Sequence, residues 1–131
     1  MTKTQKAEAV EALKGKFAST DLFFITDSST LTVAEVNKLR ALCYEKGVEM
    51  KVVKNTLARK ALETNAEEKN YEGLYDALKG PTAILFTDTA NVPAKLIKEF
   101  RKDHERPLVK AAYIDSSVYI GDDQIDALTK I

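Results

Sequence analysis

Apolar residues recur along this chain in two periods, one helical and one extended. From Lys3 to Ser19, the residues Ala9, Val10, Leu13 and Phe17 form one stripe. Lys3, Lys6, Lys14 and Lys16 decorate the rest, so the segment predicts an amphipathic helix. Residues 21–27 (DLFFITD) are a short apolar run with polar ends, the pattern of a buried strand. Thr32-Val33-Ala34-Glu35 has the form of a capping box and predicts a helix start. Val33, Val36, Leu39 and Cys43 then keep a helical period, and Gly47 follows as a stop just past the C-cap.

The alternation continues. Residues 48–53 predict a second strand, with Asn55 as the N-cap of the next helix. In that helix Leu57, Ala58, Ala61 and Leu62 face inward, while Thr56, Arg59 and Lys60 share the opposite face. Residues 71–78 predict a short helix stopped by Gly80-Pro81, and 82–87 (TAILFT) a third buried strand. Asn91 and Pro93 open a helix that turns Val92, Leu96, Ile97 and Phe100 inward. After Pro107, residues 108–114 and 118–120 read as strands joined by a tight turn at Asp115-Ser116-Ser117. Ile125 and Leu128, beyond Gly121, suggest a last helix.

Strands alternating with helices predict an α/β (α+β) fold. The expectation is a single globular domain over residues 1–131, its helices packed on a mixed sheet with an antiparallel closing pair. The last helix reaches Ile131 without a cap, which suggests that a longer protein continues beyond it.

Composition changes this picture little. A chain of 131 residues, 44% hydrophobic and 31% charged, has the make-up of an ordinary domain with its own core. There is no run of about 18 apolar residues and no signal-peptide core, so a cytoplasmic protein with no membrane span is expected. Cys43 is the only cysteine; its place in the helical stripe reads as a small core residue rather than a reactive thiol.

Charge changes it more. The 20 basic and 20 acidic residues cancel, yet they are not evenly spread. Residues 46–60 hold Lys46, Lys51, Lys54, Arg59 and Lys60 against Glu49 alone, whereas 61–94 hold six acids against Lys69 and Lys79. The basic cluster straddles a strand end and a helix start, where free N–H groups and the helix dipole both favour an anion. Phosphate is the ligand this suggests, because affinity follows the local patch rather than the sum. The plainer reading of the same residues is a solvated, well-capped helix.

Enzymatic chemistry finds no foothold. One His and one Cys, far apart, offer no paired metal-ligand spacing, so neither metal nor cofactor is expected. No nucleophile motif or phosphate-cradling glycine loop is present. His104 reads as a solvated cation at a helix C-terminus. Tyr44, Tyr71 and Tyr75 read as partly buried helix residues, leaving no exposed ring among the basic residues. That disfavours a single-strand stacking platform and favours backbone recognition of folded RNA.

Lys51-Val52-Val53-Lys54-Asn55-Thr56-Leu57-Ala58-Arg59-Lys60-Ala61-Leu62 resembles the signature of the bacterial large-subunit ribosomal protein L ten family. The opening helix from Lys3 resembles the same family, as do Leu31-Thr32-Val33-Ala34-Glu35 with Leu39-Arg40 and Gly47-Val48, and the segment from Leu78 through Gly80-Pro81-Thr82 to Phe86. The resemblance spans essentially the whole chain. It implies a non-enzymatic scaffold whose α/β domain binds the GTPase-associated region of large-subunit ribosomal RNA beside ribosomal protein L eleven. A C-terminal helix beyond residue 131 would carry dimers of the acidic stalk protein, which recruit translational GTPases. The implied RNA-facing residues are Lys3, Lys6, Lys51, Lys54, Asn55, Thr56, Arg59, Lys60, Gly80, Pro81 and Thr82. Ser28-Ser29-Thr30 departs from the family's Tyr-Arg-Gly type turn and offers no basic contact there. Two other readings stay open: a protein-only interaction module, and a small α/β nucleotide-binding domain.

Overall fold

The computed structural model describes residues 2–20, 22–63, 74–75, 78, 82–89, 91–114 and 117–130. Helix α1 (Lys3–Ser19) begins at a capping box, in which the Thr2 hydroxyl accepts from the Gln5 N–H and the Gln5 side chain accepts from the Thr2 N–H. Strand β1 (Leu22–Asp27) leads to α2 (Val33–Glu45), whose start is the expected Thr32–Glu35 capping box. Strand β2 (Glu49–Val53), helix α3 (Asn55–Glu63), strand β3 (Thr82–Phe86) and helix α4 (Val92–Phe100) follow. The chain closes with β4 (Leu108–Ile114), β5 (Ser117–Ile120), a single 3₁₀ turn (Asp122–Gln124) and α5 (Ile125–Leu128). The helix expected over 71–78 lies outside the described residues apart from Leu74, Tyr75 and Leu78.

The strand order is β2-β3-β1-β4-β5, and every pairing is antiparallel. The α/β class is as the pattern predicts, but the sheet is antiparallel rather than mixed. The helical crossovers explain the difference. From β1, α2 carries the chain to β2, two places away; from β3, α4 carries it to β4, also two places away. Each crossover therefore joins parallel strands with a gap between them, and an antiparallel strand fills the gap. Two split β-α-β units interleave in this way.

Central strand β1 is covered on both faces, which is why its sequence is a continuous apolar run rather than an alternation. Phe24 points to the layer containing Leu39, Cys43, Leu96, Ile97 and Leu128, from α2, α4 and α5. Phe23 and Ile25 point to the layer containing Leu13, Phe17, Ala58 and Leu62, from α1 and α3. Phe17 anchors α1, its ring centroid 5.0 Å from that of Phe23 and 5.5 Å from that of Phe86. Burial pushes the Cys43 thiol up to about 12, against a smaller opposing pull from Arg40, so a structural role fits.

Strand β4 carries a bulge. Ile25 faces Ala111 and Thr26 faces Val109, so Lys110 stands out of register. The extra residue puts Val109 and Ala112 on the same face of the sheet. Asp122 supports the bulge by accepting from the Val109 N–H at 2.8 Å and holding Arg101 Nη1 at 2.8 Å.

Three side chains depart from the sequence reading. Val33, in the first turn of α2, is 80% exposed. Tyr44 is 87% exposed rather than partly buried. His104 is part-buried rather than fully solvated: its side chain is 16% exposed, its ring stacks on Phe100 at 4.1 Å, and its Nε2 lies 3.3 Å from Glu35. The aromatic face beside it and the Glu35 carboxylate outweigh hydration there.

Candidate nucleic-acid interface

The basic junction is built from the end of β2 and the start of α3. The Lys54 carbonyl accepts from the N–H groups of Leu57 and Ala58, both at 3.1 Å, so Lys54 occupies the cap position. Asn55, expected as the cap, is instead the first helical residue. Its Oδ1 accepts from the Thr56 N–H at 2.8 Å, and its Nδ2 donates to the Leu78 carbonyl at 3.1 Å. The side chain thus ties the helix start to the chain leading into β3.

Helix α1 packs beside α3 because both turn apolar faces onto the same side of the sheet. That packing brings Lys3 and Lys6 to Lys60 around a cleft of about 350 Å³, floored by Val10 and Leu57. A second cleft, of about 520 Å³, runs along edge strand β2 between α1 and α2. Lys51, Lys54 and Arg40 line it, and Leu57 borders both clefts. Segments more than 40 residues apart in sequence, at Lys3 and Lys51, therefore meet on one surface.

The other expected residues are differently placed. Lys51 Nζ lies 3.7 Å from Glu49, which also pairs with Lys16. The Lys16 hydrogen bond is the main cause holding the Glu49 carboxyl below its ordinary range, with burial opposing and Lys51 adding to it. Thr56 is exposed. Arg59 is exposed but engaged, its Nε 3.1 Å from Glu63 and its guanidinium 5.1 Å from the Tyr75 ring centroid. Thr82 is buried, and its hydroxyl accepts from Lys110 Nζ at 3.1 Å. Gly80 and Pro81 lie outside the described residues.

Two cations in this region are not among the residues expected to face RNA. Arg40 sits on α2, in a helix read for its core stripe, and joins the β2 cleft only through packing. Lys110 reaches the same end of the sheet through the β4 bulge. Burial lowers the pKa of its ammonium, with Asp27 pulling the other way. Position along the chain does not bring either residue to this surface; the register and the helix packing do. Among the described residues, no three His, Cys, Asp or Glu side chains gather as a metal site. Nor is any described helix long and apolar enough to cross a membrane.

Residues 1–102 match the family model described as Ribosomal protein L10. The chain belongs to this family. Among its relatives, the Large ribosomal subunit protein uL10 of Flavobacterium johnsoniae is 44% identical over 131 residues, covering 100% of this chain and 77% of the relative. The protein of the same name from Cytophaga hutchinsonii is 47% identical over 133 residues, covering 100% of this chain and 78% of the relative. That of Christiangramia forsetii is 43% identical over 131 residues, covering 75% of its length. These relatives are named as ribosomal proteins, and membership places this chain among structural proteins rather than enzymes.

Proposed function

We propose that this chain is a structural constituent of the large ribosomal subunit that binds large-subunit ribosomal RNA at the stalk base. The observation that carries the reading is the gathering of Lys3, Lys6 and Lys60 around one cleft and Lys51 and Lys54 around its neighbour. A chain of zero net charge concentrates cations there, and each phosphate they neutralise releases a counterion. Lysines on two helices and an edge strand suit the spaced phosphates of folded RNA, which is read by shape and backbone. Arg59 keeps a guanidinium capable of bidentate phosphate binding once it exchanges its exposed Glu63 partner.

In this reading the domain sits beside ribosomal protein L eleven. The complete protein anchors the acidic stalk dimers through a helix C-terminal to the domain, and those dimers recruit translational GTPases. Its place of work is the cytoplasmic ribosome.

The test is binding of this chain to the stalk-base fragment of large-subunit ribosomal RNA across a salt series. A log–log slope of roughly −2 to −5 is expected, as a few phosphate contacts produce. Lys54→Glu with Lys60→Glu should lose affinity and flatten the slope while leaving the circular-dichroism spectrum intact. A folded double variant with unchanged affinity and slope overturns the proposed surface.

A further inference from the structure

We infer that Tyr44, one helical turn beyond the Arg40 that lines the cleft along β2, is a stacking platform for an unpaired base of the bound RNA. The inference rests on the RNA reading above and adds a base contact to a surface otherwise built for phosphates.

A single exposed ring on a protein surface needs no explanation. The setting of Tyr44 is what distinguishes it. It is the most exposed of the large hydrophobic side chains described, at 87%. It lies four residues beyond Arg40, so the two share one face of α2, one turn apart. Arg40 lines the β2 cleft, together with Lys51 and Lys54. Val52, on the edge strand in the wall of the same cleft, is itself 57% exposed. The result is an aromatic face one helical turn from a guanidinium that shares a cleft with two ammonium groups.

That combination matches the chemistry of a single-stranded nucleotide. Cations follow the sugar–phosphate backbone while a flat ring receives the base, which any base can satisfy through its π face. Unpaired bases in loops and bulges are free to be splayed onto such a ring, whereas bases inside a duplex are not. A phenol ring suits this role, because its rigid body loses little conformational freedom on contact. The charge on the cleft selects an anionic occupant, and the exposed ring selects one that carries a planar apolar group.

The experiment compares this chain with Tyr44→Ala and Tyr44→Phe variants on two probes at one low salt concentration. One probe is the stalk-base RNA fragment with its unpaired nucleotides; the other is a fully paired RNA duplex of the same length. Tyr44→Ala should bind the fragment roughly five- to a hundred-fold more weakly, the range of one lost base–aromatic stack. It should bind the duplex as the parent does, and its salt slope should be unchanged, because no charge is removed. Tyr44→Phe should retain fragment binding. The ring is solvent-facing, so both variants should unfold at the parent's urea midpoint. If Tyr44→Ala binds the fragment as tightly as the parent, the stacking role is overturned and the RNA reading stands. If the parent binds neither probe, both readings are overturned together.

Discussion

The side-chain amide of Asn55 donates to the main-chain carbonyl of Leu78 at 3.1 Å, joining the start of α3 to a point 23 residues further along the chain. The contact is part-buried, so removing the donor leaves a carbonyl without this partner. Asn55→Ala is therefore expected to lower stability by about 1–2 kcal/mol. The urea midpoint should fall with an unchanged m-value. Asn55→Asp keeps an acceptor for the Thr56 N–H but loses the donor to Leu78, and should fall between the two. An alanine variant as stable as the parent would show that the tether contributes nothing.

Asp122 holds two partners at once. Its carboxylate accepts from the Val109 N–H at 2.8 Å and from Arg101 Nη1 at 2.8 and 2.9 Å. Asp122→Ala would strand a strand N–H beside the bulge together with a half-buried guanidinium. A loss of about 2–3 kcal/mol is expected, larger than for an exposed ion pair. Hydrogen exchange should report it locally, with Val109 and its neighbours in β4 losing protection before α1 does. Uniform loss across the domain would contradict a local role.

Acid should destabilise the domain through its paired carboxylates. Hydrogen bonding and charge from Lys16 hold Glu49 below its ordinary value of 4.5. Burial pushes Asp27 up, but its hydrogen bonds with Ser29 and the nearby Arg106 and Lys110 outweigh that and leave it below 3.8. A carboxylate with a depressed folded pKa binds fewer protons folded than unfolded in the acid range. Its stabilisation is complete above the unfolded value and is lost as pH falls through the folded one. The urea midpoint should therefore be flat down to about pH 5 and decline below it. Glu49→Gln should make that decline shallower. A decline of the same steepness in this variant would remove Glu49 from the explanation.

Local chemistry was readable wherever the deciding partners lie within a few residues. Thr32 and Glu35 start α2 because both halves of the capping box belong to one turn. The inward set Leu57, Ala58, Ala61 and Leu62 follows from the helical period, and the structure buries all four. The run Thr82–Phe86 is buried throughout, as an uninterrupted apolar segment predicts. Asn55 shows the limit of such reading. Its type signals a helix start, but it stands one residue inside the helix and its side chain bonds to Leu78, a partner 23 residues away.

The sequence by itself thus determined the described helices and strands, the α/β class and the basic stretch from Lys51 to Lys60, since these depend on neighbours along the chain. The tertiary structure alone decided that the sheet is antiparallel, because a periodic pattern shows that a face is apolar but not which strand fills the gap under a crossover. It also brought Arg40 to the β2 cleft, left Tyr44 facing solvent and enclosed His104 against Phe100. Those outcomes depend on how α2 and α4 rotate and lean to close the core, a balance of packing across the whole domain that no short window of residues contains.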